Sequence, residues 1–331
     1  MISFSGLPLV IAIVGPTASG KTQLAMRLAY FLPVEVVSAD SRQIYRHMDI
    51  GTAKPTPQEM ARVKHHLVDI VEPNQPLTLA QYQTLAYAAI DQIHQAGKLP
   101  LLVGGTGLYV RAVLDGLKIP PVPPNMQLRE ACYAEAQAMG PLHLHARLRE
   151  LDPASADHID PRNVRRVIRA LEVCDALRAP MSALQSSSPP RFGSLRLGLS
   201  VPRDMLYQRI DTRVDQMIAD GLVAEVRSLL NHGFSHELPA MSGVGYRQIA
   251  MHLRGEISLE QAVALVKQQT RRLVRQQANW FRPNDPRIAW LEAVATPAEA
   301  ALRAIRTMLD AHADPAAQPL ALDSQQGTPA L

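Results

Sequence analysis

The sequence predicts an α/β fold, a P-loop NTPase-like parallel sheet core that is flanked by helices and carries a helical insertion domain. Three observations predict this fold. Short apolar runs alternate with helical patterns over residues 1–118, which is typical of a parallel sheet covered by helices. The first run, residues 8–14, leads directly into GPTASGKT, residues 15–22, which matches G-x-x-x-x-G-K-[ST]. Two proline-rich segments then enclose a stretch with helical spacing only.

The motif at residues 15–22 predicts a phosphate-binding loop. Gly15 and Gly20 allow the loop to turn back with its N–H groups pointing inward and with no Cβ in the path of a phosphate. Lys21 supplies a positive charge and Thr22 a hydroxyl for Mg²⁺, while the helix predicted over residues 23–31 adds the positive end of its dipole. The alternative is a glycine-rich turn between strand and helix. The motif alone does not identify the phosphate compound.

The next predicted strand, residues 34–38, is followed closely by Asp40. A right-handed crossover returns the chain to the same sheet, so Asp40 should stand at the carboxyl edge beside the phosphate loop, where open α/β sheets bind ligands. A carboxylate there can accept a proton or hold a metal-bound water. Alternatively, Asp40 caps the N-terminus of a helix, a position that Asp favours.

A helix over residues 57–64 and a third strand over residues 65–70 are predicted next. His65 and His66 cannot easily share a metal ion, because neighbouring strand residues point to opposite faces. Asp69 could instead be a Walker-B-like carboxylate that binds the water shell of Mg²⁺.

The sheet pattern continues with a helix over residues 79–95 and a fourth strand over residues 99–103. A glycine-rich turn, residues 104–109, follows that strand. Thr106 in this turn would face Asp40 across the same cleft, or it would cap the next helix.

Two breaks divide the chain. Residues 119–124 form a polyproline segment and residues 185–190 a serine- and proline-rich one, and neither can continue a sheet or a helix. Between them, residues 126–179 show helical spacing, which predicts an inserted helical domain. The predicted parts are the first part of the core, residues 1–118; the insertion, 119–193; the second, mostly helical part of the core, 194–312; and a disordered tail, 313–331.

After a returning strand at residues 196–201, the pattern is helical almost to the end of the core. Helices are predicted over residues 203–220, 222–231, 248–253 and 258–281. Arg209 and Arg213 lie one turn apart on the first of these helices, where they could reach the phosphate site or remain surface cations. A small-residue loop with Gly243 and Gly245 would let a ligand approach the backbone closely.

Composition limits the classes of protein. The chain has 331 residues, of which 47% are apolar, so it can bury a sizeable core. It lacks a run of eighteen apolar residues and a basic N-terminal region, so we expect a cytoplasmic protein without a membrane partner. Cys132 and Cys174 are outside any metal-ligand spacing and are expected to be reduced packing residues. The arginines clustered at residues 162–169 and 271–282 indicate either a polyanion partner or solvated helix faces.

Five segments in this order, GPTASGKT, SADSRQIYRHMDIGTAKP, LLVGGTGLY, SGVGYRQ and RQQANWFR, make the sequence similar to bacterial tRNA dimethylallyltransferases, the tRNA isopentenyltransferase family. The resemblance runs from about residue 8 to about residue 290. It implies transfer of the dimethylallyl group of dimethylallyl diphosphate to the exocyclic amine of the adenosine 3′-adjacent to the tRNA anticodon, with release of diphosphate. It also implies Mg²⁺ as the cofactor and the tRNA anticodon stem-loop as the partner. We expect the protein to act as a monomer.

The resemblance also implies residue roles. Asp40 matches the general base, Thr106 the residue beside it and Arg213 an arginine that clamps the diphosphate. The diphosphate site is Gly15, Thr17, Ala18, Ser19, Gly20, Lys21, Thr22 and Arg213, with Thr22 on Mg²⁺. The tRNA-contact residues are Asp40, Ser41, Arg42, Gln43, Thr106, Arg129, Arg165, Arg166, Arg169, Ser242, Gly243, Val244, Gly245, Tyr246, Arg247, Arg275, Gln276, Trp280 and Arg282. The sequence departs from the family at Arg166, where Gln is seen, and at Arg275-Gln276-Gln277, where Lys-Arg-Gln is common.

Two other functions compete with this interpretation. An ATP- or GTP-dependent phosphotransferase or hydrolase would use Asp69 as its Walker-B carboxylate, but it leaves the arginine-rich helix near residue 275 without a role. A non-catalytic RNA-binding protein would need the arginines, but it leaves Asp40 and Thr106 unexplained.

Overall fold

The computed structural model describes residues 3–4, 7–184, 189–293 and 297–313. Within these residues the strands form one seven-stranded sheet in which β4-β3-β5-β2-β6-β7 run parallel and β1 pairs antiparallel with β2. The strands are β1 (Ser3–Phe4), β2 (Leu7–Val14), β3 (Val34–Ser38), β4 (His65–His66), β5 (Leu99–Gly104), β6 (Gly193–Ser200) and β7 (Ile288–Glu292). The predicted P-loop NTPase-like α/β fold is therefore confirmed.

Helices cover both faces of the sheet and form the insertion. They are α1 (Lys21–Leu28), α2 (Pro57–Arg62), α3 (Leu79–Gln95), α4 (Gly107–Leu114), α5 (Met126–Met139), α6 (Pro141–Leu151), α7 (Pro153–His158), α8 (Val164–Leu177), α9 (Met181–Leu184), α10 (Arg203–Ala219), α11 (Leu222–Asn231), α12 (Tyr246–Leu253), α13 (Leu259–Ala278) and α14 (Pro297–Ala313). Among the residues with assigned structure, no helix has the length and apolarity needed to cross a membrane.

Strand β2 is apolar throughout because both of its faces are buried. Leu9, Ile11 and Ile13 pack with α1 and α14 on one face of the sheet. The alternate residues, among them Val10 and Val14, pack with α3 and α4 on the other face. Each fully buried aliphatic side chain of this kind stabilises the fold by about 1.5–3 kcal/mol, so the strand that precedes the phosphate loop is firmly anchored.

The candidate site lies where the strand order reverses. From β2 the chain crosses to β3 and returns through β5 on one side, and it later enters β6 on the other side of β2. The carboxyl ends of β2, β3, β5 and β6 therefore meet at one edge of the sheet. In open α/β sheets this reversal leaves a crevice that binds ligands.

The helical insertion has a core of its own. Its buried apolar side chains all come from residues 122–184, and both cysteines, Cys132 and Cys174, are among them. At its centre the buried carboxylate of Glu172 accepts two hydrogen bonds of 2.9 Å from Arg129 and one of 2.5 Å from Arg169. These bonds compensate the buried charge, which would otherwise be costly.

Three sequence predictions about strands were wrong in part. The strand predicted over residues 65–70 comprises only His65–His66, because Leu67 and Asp69 adopt left-handed backbone with φ of 62° and 57°. Strand β6 begins at Gly193 rather than at residue 196. Strand β7 was assigned to a helical region, although its register beside β6 is fully paired.

The tail predicted over residues 313–331 begins at the last residue of α14, and residues 314–331 lie outside the described residues, as do the linker residues 185–188.

Candidate active site

The phosphate loop adopts a conformation that its small residues make possible. Gly15, Ala18 and Gly20 all have positive φ, at 143°, 62° and 96°. A Cβ on Gly15 would lie 3.1 Å from the Leu199 carbonyl oxygen, so only glycine fits there without a shift. Lys21 Nζ donates hydrogen bonds to the carbonyl oxygens of Gly15 at 3.1 Å and Pro16 at 2.7 Å. The ammonium group is thereby held at the mouth of the loop.

A cavity of about 510 Å³ opens beside this loop at the carboxyl edge of the sheet. It brings together the charged side chains of Lys21, Asp40, Arg209 and Arg213. Within the described residues, the guanidinium of Arg213 forms no ion pair or hydrogen bond. Burial lowers the pKa of Arg213, and the nearby Asp40 carboxylate opposes that shift. The cavity thus holds one carboxylate among three cations, a composition suited to an anionic ligand and to a proton transfer beside it.

Hydrogen bonds hold Asp40 and Thr106 in adjacent loops. Asp40 Oδ1 accepts the N–H of Arg42 at 2.8 Å, which closes a turn rather than capping a helix. Thr106 Oγ1 accepts the N–H of Ser41 at 3.1 Å and donates to Ser41 Oγ at 3.3 Å. Thr106 precedes α4 but does not cap it through its side chain. Asp40 is therefore not a helix cap, whereas Thr106 stands at the N-cap position of α4 and uses its hydroxyl to bind Ser41 instead of the helix. The loops after β3 and β5 form one unit.

The loop after β3 is also tied to the loop that precedes α12. Arg42 Nη1 donates to the carbonyl oxygens of Pro239 at 2.8 Å and Ala240 at 3.2 Å, and its Nη2 lies 3.4 Å from Ser242 Oγ. Gln43 Nε2 donates to the carbonyl oxygen of Ala53 at 3.1 Å. The segments SADSRQ and SGVGYRQ, 200 residues apart in sequence, are thus brought together beside the cavity.

Known proteins are similar to this chain in sequence and in fold. The sequence model for IPP transferase matches residues 43–284, which is more than half of the chain. This chain belongs to the IPP transferase family. It is 48% identical over 282 residues to a tRNA dimethylallyltransferase of Dehalococcoides mccartyi, covering 85% of this chain and 87% of the relative. It is 51% identical over 282 residues to a tRNA dimethylallyltransferase of Herpetosiphon aurantiacus, covering 85% of this chain and 90% of the relative.

Solved structures place the same fold in this family. The full-length tRNA isopentenylpyrophosphate transferase of Bacillus halodurans superposes with a TM-score of 0.68 at 38% identity, over 92% of this chain and 98% of that one. A eukaryotic dimethylallyltransferase captured acting on tRNA superposes with a TM-score of 0.73 at 26% identity, over 90% of this chain and 78% of that one. The family predicted from the sequence is confirmed.

The arginines expected to contact tRNA differ in their exposure to solvent and in whether another side chain of this IPP transferase already binds them. Arg129 and Arg169 bind Glu172 inside the insertion, so they hold its helices together. Arg165 and Arg166 are exposed and have no side-chain partner among the described residues. Arg282 is also exposed, and among the described residues the side chain of Arg275 donates only to the Tyr207 hydroxyl, at 3.2 Å.

Other expected tRNA-contact residues have structural contacts. Tyr246 is 1% exposed and donates to Glu225 Oε1 at 2.6 Å, and burial raises its pKa well above the ordinary value. Trp280 is half-buried against Gly107, where a Cβ would lie 2.4 Å from the indole side chain. Ser242 and Arg247 are exposed, and the loop between these two residues contains Gly243, Val244 and Gly245. Gln276 is exposed on α13.

Asp69 does not lie at the phosphate loop. Its carboxylate pairs with Lys54, whose side chain is 3% exposed and also donates to the Tyr45 carbonyl oxygen at 2.7 Å. Asp69 is absent from the described lining of the cavity. The paired His residues also separate as expected, since His66 Nε2 contacts Glu35 and His65 Nδ1 contacts the Val63 carbonyl oxygen. No group of three or more His, Cys, Asp or Glu in the described chain is placed to hold a metal ion.

Sequence reasoning missed two residues that shape the site. Glu225 accepts the N–H groups of Asp49, Ile50 and Gly51 at 2.7–3.2 Å and so fixes the loop that leads to the cavity. Gln277 contacts the phosphate loop itself. The partners of both residues are distant in sequence, so these contacts could not be predicted, although Gln277 belongs to the segment RQQANWFR.

Diphosphate binding should depend on pH through Lys21. Burial lowers the pKa of Lys21 to about 8, with Asp40 opposing the shift and Arg213 adding to it. The protonated form attracts an anion, so the contribution of Lys21 to the affinity for inorganic diphosphate should be full well below pH 8 and should fall up to about tenfold per pH unit above it. Calorimetric titration between about pH 6.5 and about pH 9.5 measures this. Lys21→Arg, which stays protonated, should show a weaker pH dependence. The same decrease in both proteins would assign the titration to another group.

Proposed function

We propose that this IPP transferase transfers the dimethylallyl group of dimethylallyl diphosphate to the exocyclic amine of the adenosine 3′-adjacent to the tRNA anticodon and releases diphosphate. The observation that carries the proposal is the single cavity in which Asp40 shares space with Lys21 and Arg213 beside the phosphate loop. Relatives named tRNA dimethylallyltransferase, about half identical in sequence, support it. The proposal includes the expectation that the enzyme acts as a cytoplasmic monomer.

The residues of the cavity suit this reaction. The adenine amine is a weak nucleophile because its lone pair is delocalised into the ring. When the nitrogen bonds to C1 of the dimethylallyl group, the bond from C1 to the diphosphate oxygen breaks and Asp40 takes the amine proton. A positioned base of this kind typically contributes about 10²–10⁴-fold. Negative charge develops on the leaving diphosphate. Lys21, Arg213 and the N–H groups of the loop stabilise that charge.

The site also suits Mg²⁺. Thr22 lines the cavity, and its hydroxyl has no partner among the described residues. The buried Ser19 Oγ likewise has no hydrogen-bond partner. Mg²⁺ is commonly held by one or two protein oxygens together with substrate phosphates, and such a site needs no cluster of carboxylates. Bound there by Thr22 and the diphosphate, the ion would neutralise part of the charge on the leaving group.

The two rival functions fit the arrangement less well. A phosphotransferase or hydrolase would need Asp69 near the phosphates, but Asp69 is paired with Lys54 away from the cavity. A binding protein without chemistry would not need a carboxylate placed among cations.

A direct assay tests the proposal. Purified protein should add one five-carbon unit to unmodified tRNA when dimethylallyl diphosphate and Mg²⁺ are present. Mass spectrometry of the digested RNA locates the modified nucleoside. Transfer of phosphate from ATP or GTP, with no prenylated nucleoside, would favour the phosphotransferase.

Salt dependence should reveal which arginines contact tRNA phosphates. We propose that the insertion, residues 119–193, and the exposed end of α13 bind the anticodon stem-loop. In the double variant Arg275→Ala/Arg282→Ala, the slope of log affinity against log salt should decrease by roughly 1–2, because each phosphate contact contributes roughly 0.7–0.9. Filter binding over a salt series measures the slope. The control is Arg303→Ala/Arg306→Ala on α14, where both arginines are exposed. If the slope of log affinity against log salt is equal in the two double variants, Arg275 and Arg282 are solvated surface charges that do not contact tRNA phosphates.

A further inference from the structure

Gln277, near the end of α13, bridges two loops of the active site. Its Oε1 accepts the N–H of Thr17 in the phosphate loop at 2.8 Å. Its Nε2 donates to the carbonyl oxygen of Gly105, in the turn after β5, at 3.1 Å. A Cβ on Gly105 would lie 2.5 Å from that Nε2 atom, so the turn leaves a slot that the amide fills. The side chain of Gln277 therefore binds an N–H group of one loop and a carbonyl oxygen of the other, 260 and 172 residues away in sequence.

The bridge continues to the proposed base. Gly105 is followed by Thr106, whose hydroxyl holds the N–H of Ser41. Ser41 is adjacent to Asp40, and Asp40 is held in its turn by the N–H of Arg42. Displacing the amide of Gln277 would leave the Thr17 N–H and the Gly105 carbonyl without this partner, so the arrangement of both loops depends on one side chain.

The end of α13 and the residues that follow it carry candidate tRNA contacts. Arg275 is two residues before Gln277 and exposed, and Arg282 follows five residues later. We propose that Gln277 is a positioning residue that couples tRNA binding at this helix end to diphosphate binding in the phosphate loop. This inference rests on the proposed function. RNA bound at the end of α13 would restrict the motion of Gln277 and of the phosphate loop that Gln277 contacts. Diphosphate would then bind with a smaller loss of conformational entropy in that loop.

The coupling is measurable as a change in affinity. Inorganic diphosphate with Mg²⁺ is the probe, because it occupies the leaving-group site without reacting. Its dissociation constant is measured by calorimetry in the absence and presence of saturating anticodon stem-loop RNA. In the unaltered enzyme we expect the RNA to tighten diphosphate binding at least about fivefold, within the usual range for coupled sites. In Gln277→Ala the ratio should fall to within about twofold of one.

A matched control and a second variant separate coupling from loss of stability. Gln268→Ala lies on the same helix at an exposed position without a partner among the described residues, and it should keep the full ratio. Gly105→Ala keeps glutamine at position 277 but puts a methyl group where its amide now lies. The backbone of Gly105 does not have positive φ, so the alanine is tolerated and the flexible amide moves instead. Gly105→Ala should therefore lose the coupling too, and the double variant should lose no more than either single one.

The outcomes are distinct. An unchanged ratio in both Gln277→Ala and Gly105→Ala, or no coupling in the unaltered enzyme, would overturn the inference even if prenyl transfer is intact. Additive losses in the double variant would also overturn it, because two residues that act through one contact cannot lose it twice. Failure of the unaltered enzyme to prenylate tRNA would instead reject the proposed function.

Discussion

Asp40→Asn is expected to reduce the single-turnover rate of prenyl transfer by about 10²–10⁴-fold, or roughly 3–5 kcal/mol of transition-state stabilisation. Asparagine retains an oxygen that can accept the Arg42 N–H, the bond that Asp40 Oδ1 now accepts at 2.8 Å. The turn should therefore persist while the proton acceptor is lost. Affinities for tRNA and for dimethylallyl diphosphate, measured separately by titration, should change little.

A competing role for Asp40 would be to hold Mg²⁺ through a water molecule. In that case Asp40→Asn would raise the Mg²⁺ requirement, and excess metal would restore much of the rate. Single-turnover rates measured over a Mg²⁺ series distinguish the two roles. Asp310→Asn, at an exposed position on α14, is the control for the loss of one carboxylate. Recovery of the Asp40→Asn rate at high Mg²⁺ would exclude the base assignment.

The sequence predicted the sheet well where a strand is buried on both faces. The segments that became β2 and β5 are almost continuous apolar runs, and such runs indicate parallel strands. Strand β3, VEVVS, is buried too, although it includes the charged Glu35, whose carboxylate contacts His66 and Lys98. The prediction failed at the two edges of the parallel array, β4 and β7. Strand β4 ends at His66 because the next residues turn to pair Asp69 with Lys54. Strand β7 is only five residues long and pairs with β6, a partner that is distant in sequence.

The candidate site shows the same limit. The motif at residues 15–22, Asp40 and Thr106 could be predicted because each lies next to the strand that positions it. The role of Gln277 could not, since its two partners are 260 and 172 residues away. Charge alone was also insufficient for the arginines. Arg169 binds Glu172 three residues later, a spacing that a helix brings together, whereas Arg166 has no acidic residue at that spacing and is exposed. The spacing permits the pair but does not show that Glu172 is buried.

Arg213 is a partly buried cation that no carboxylate or carbonyl of the described residues contacts. Burial lowers its pKa, and Asp40 only opposes this through space. An unpaired, partly buried cation destabilises the folded protein. Such a cost is typical of a charged group whose role is to bind an anionic ligand. A surface cation would instead be solvated or paired, so the structure favours the first of the two roles considered for Arg213.

Arg213→Ala should lower the maximal rate of prenyl transfer by about 10²–10³-fold, the usual effect of removing one group that stabilises developing negative charge. The unfolding temperature of the ligand-free enzyme should not decrease, because the variant removes a cation without an ion pair. Arg203→Ala, at an exposed position on the same helix, is the matched control and should leave both quantities unchanged. Rapid-quench kinetics and thermal unfolding measure the two effects. A variant that loses stability in proportion to activity would show that Arg213 supports the fold, whereas full activity would show that Lys21 and the loop suffice for the leaving diphosphate.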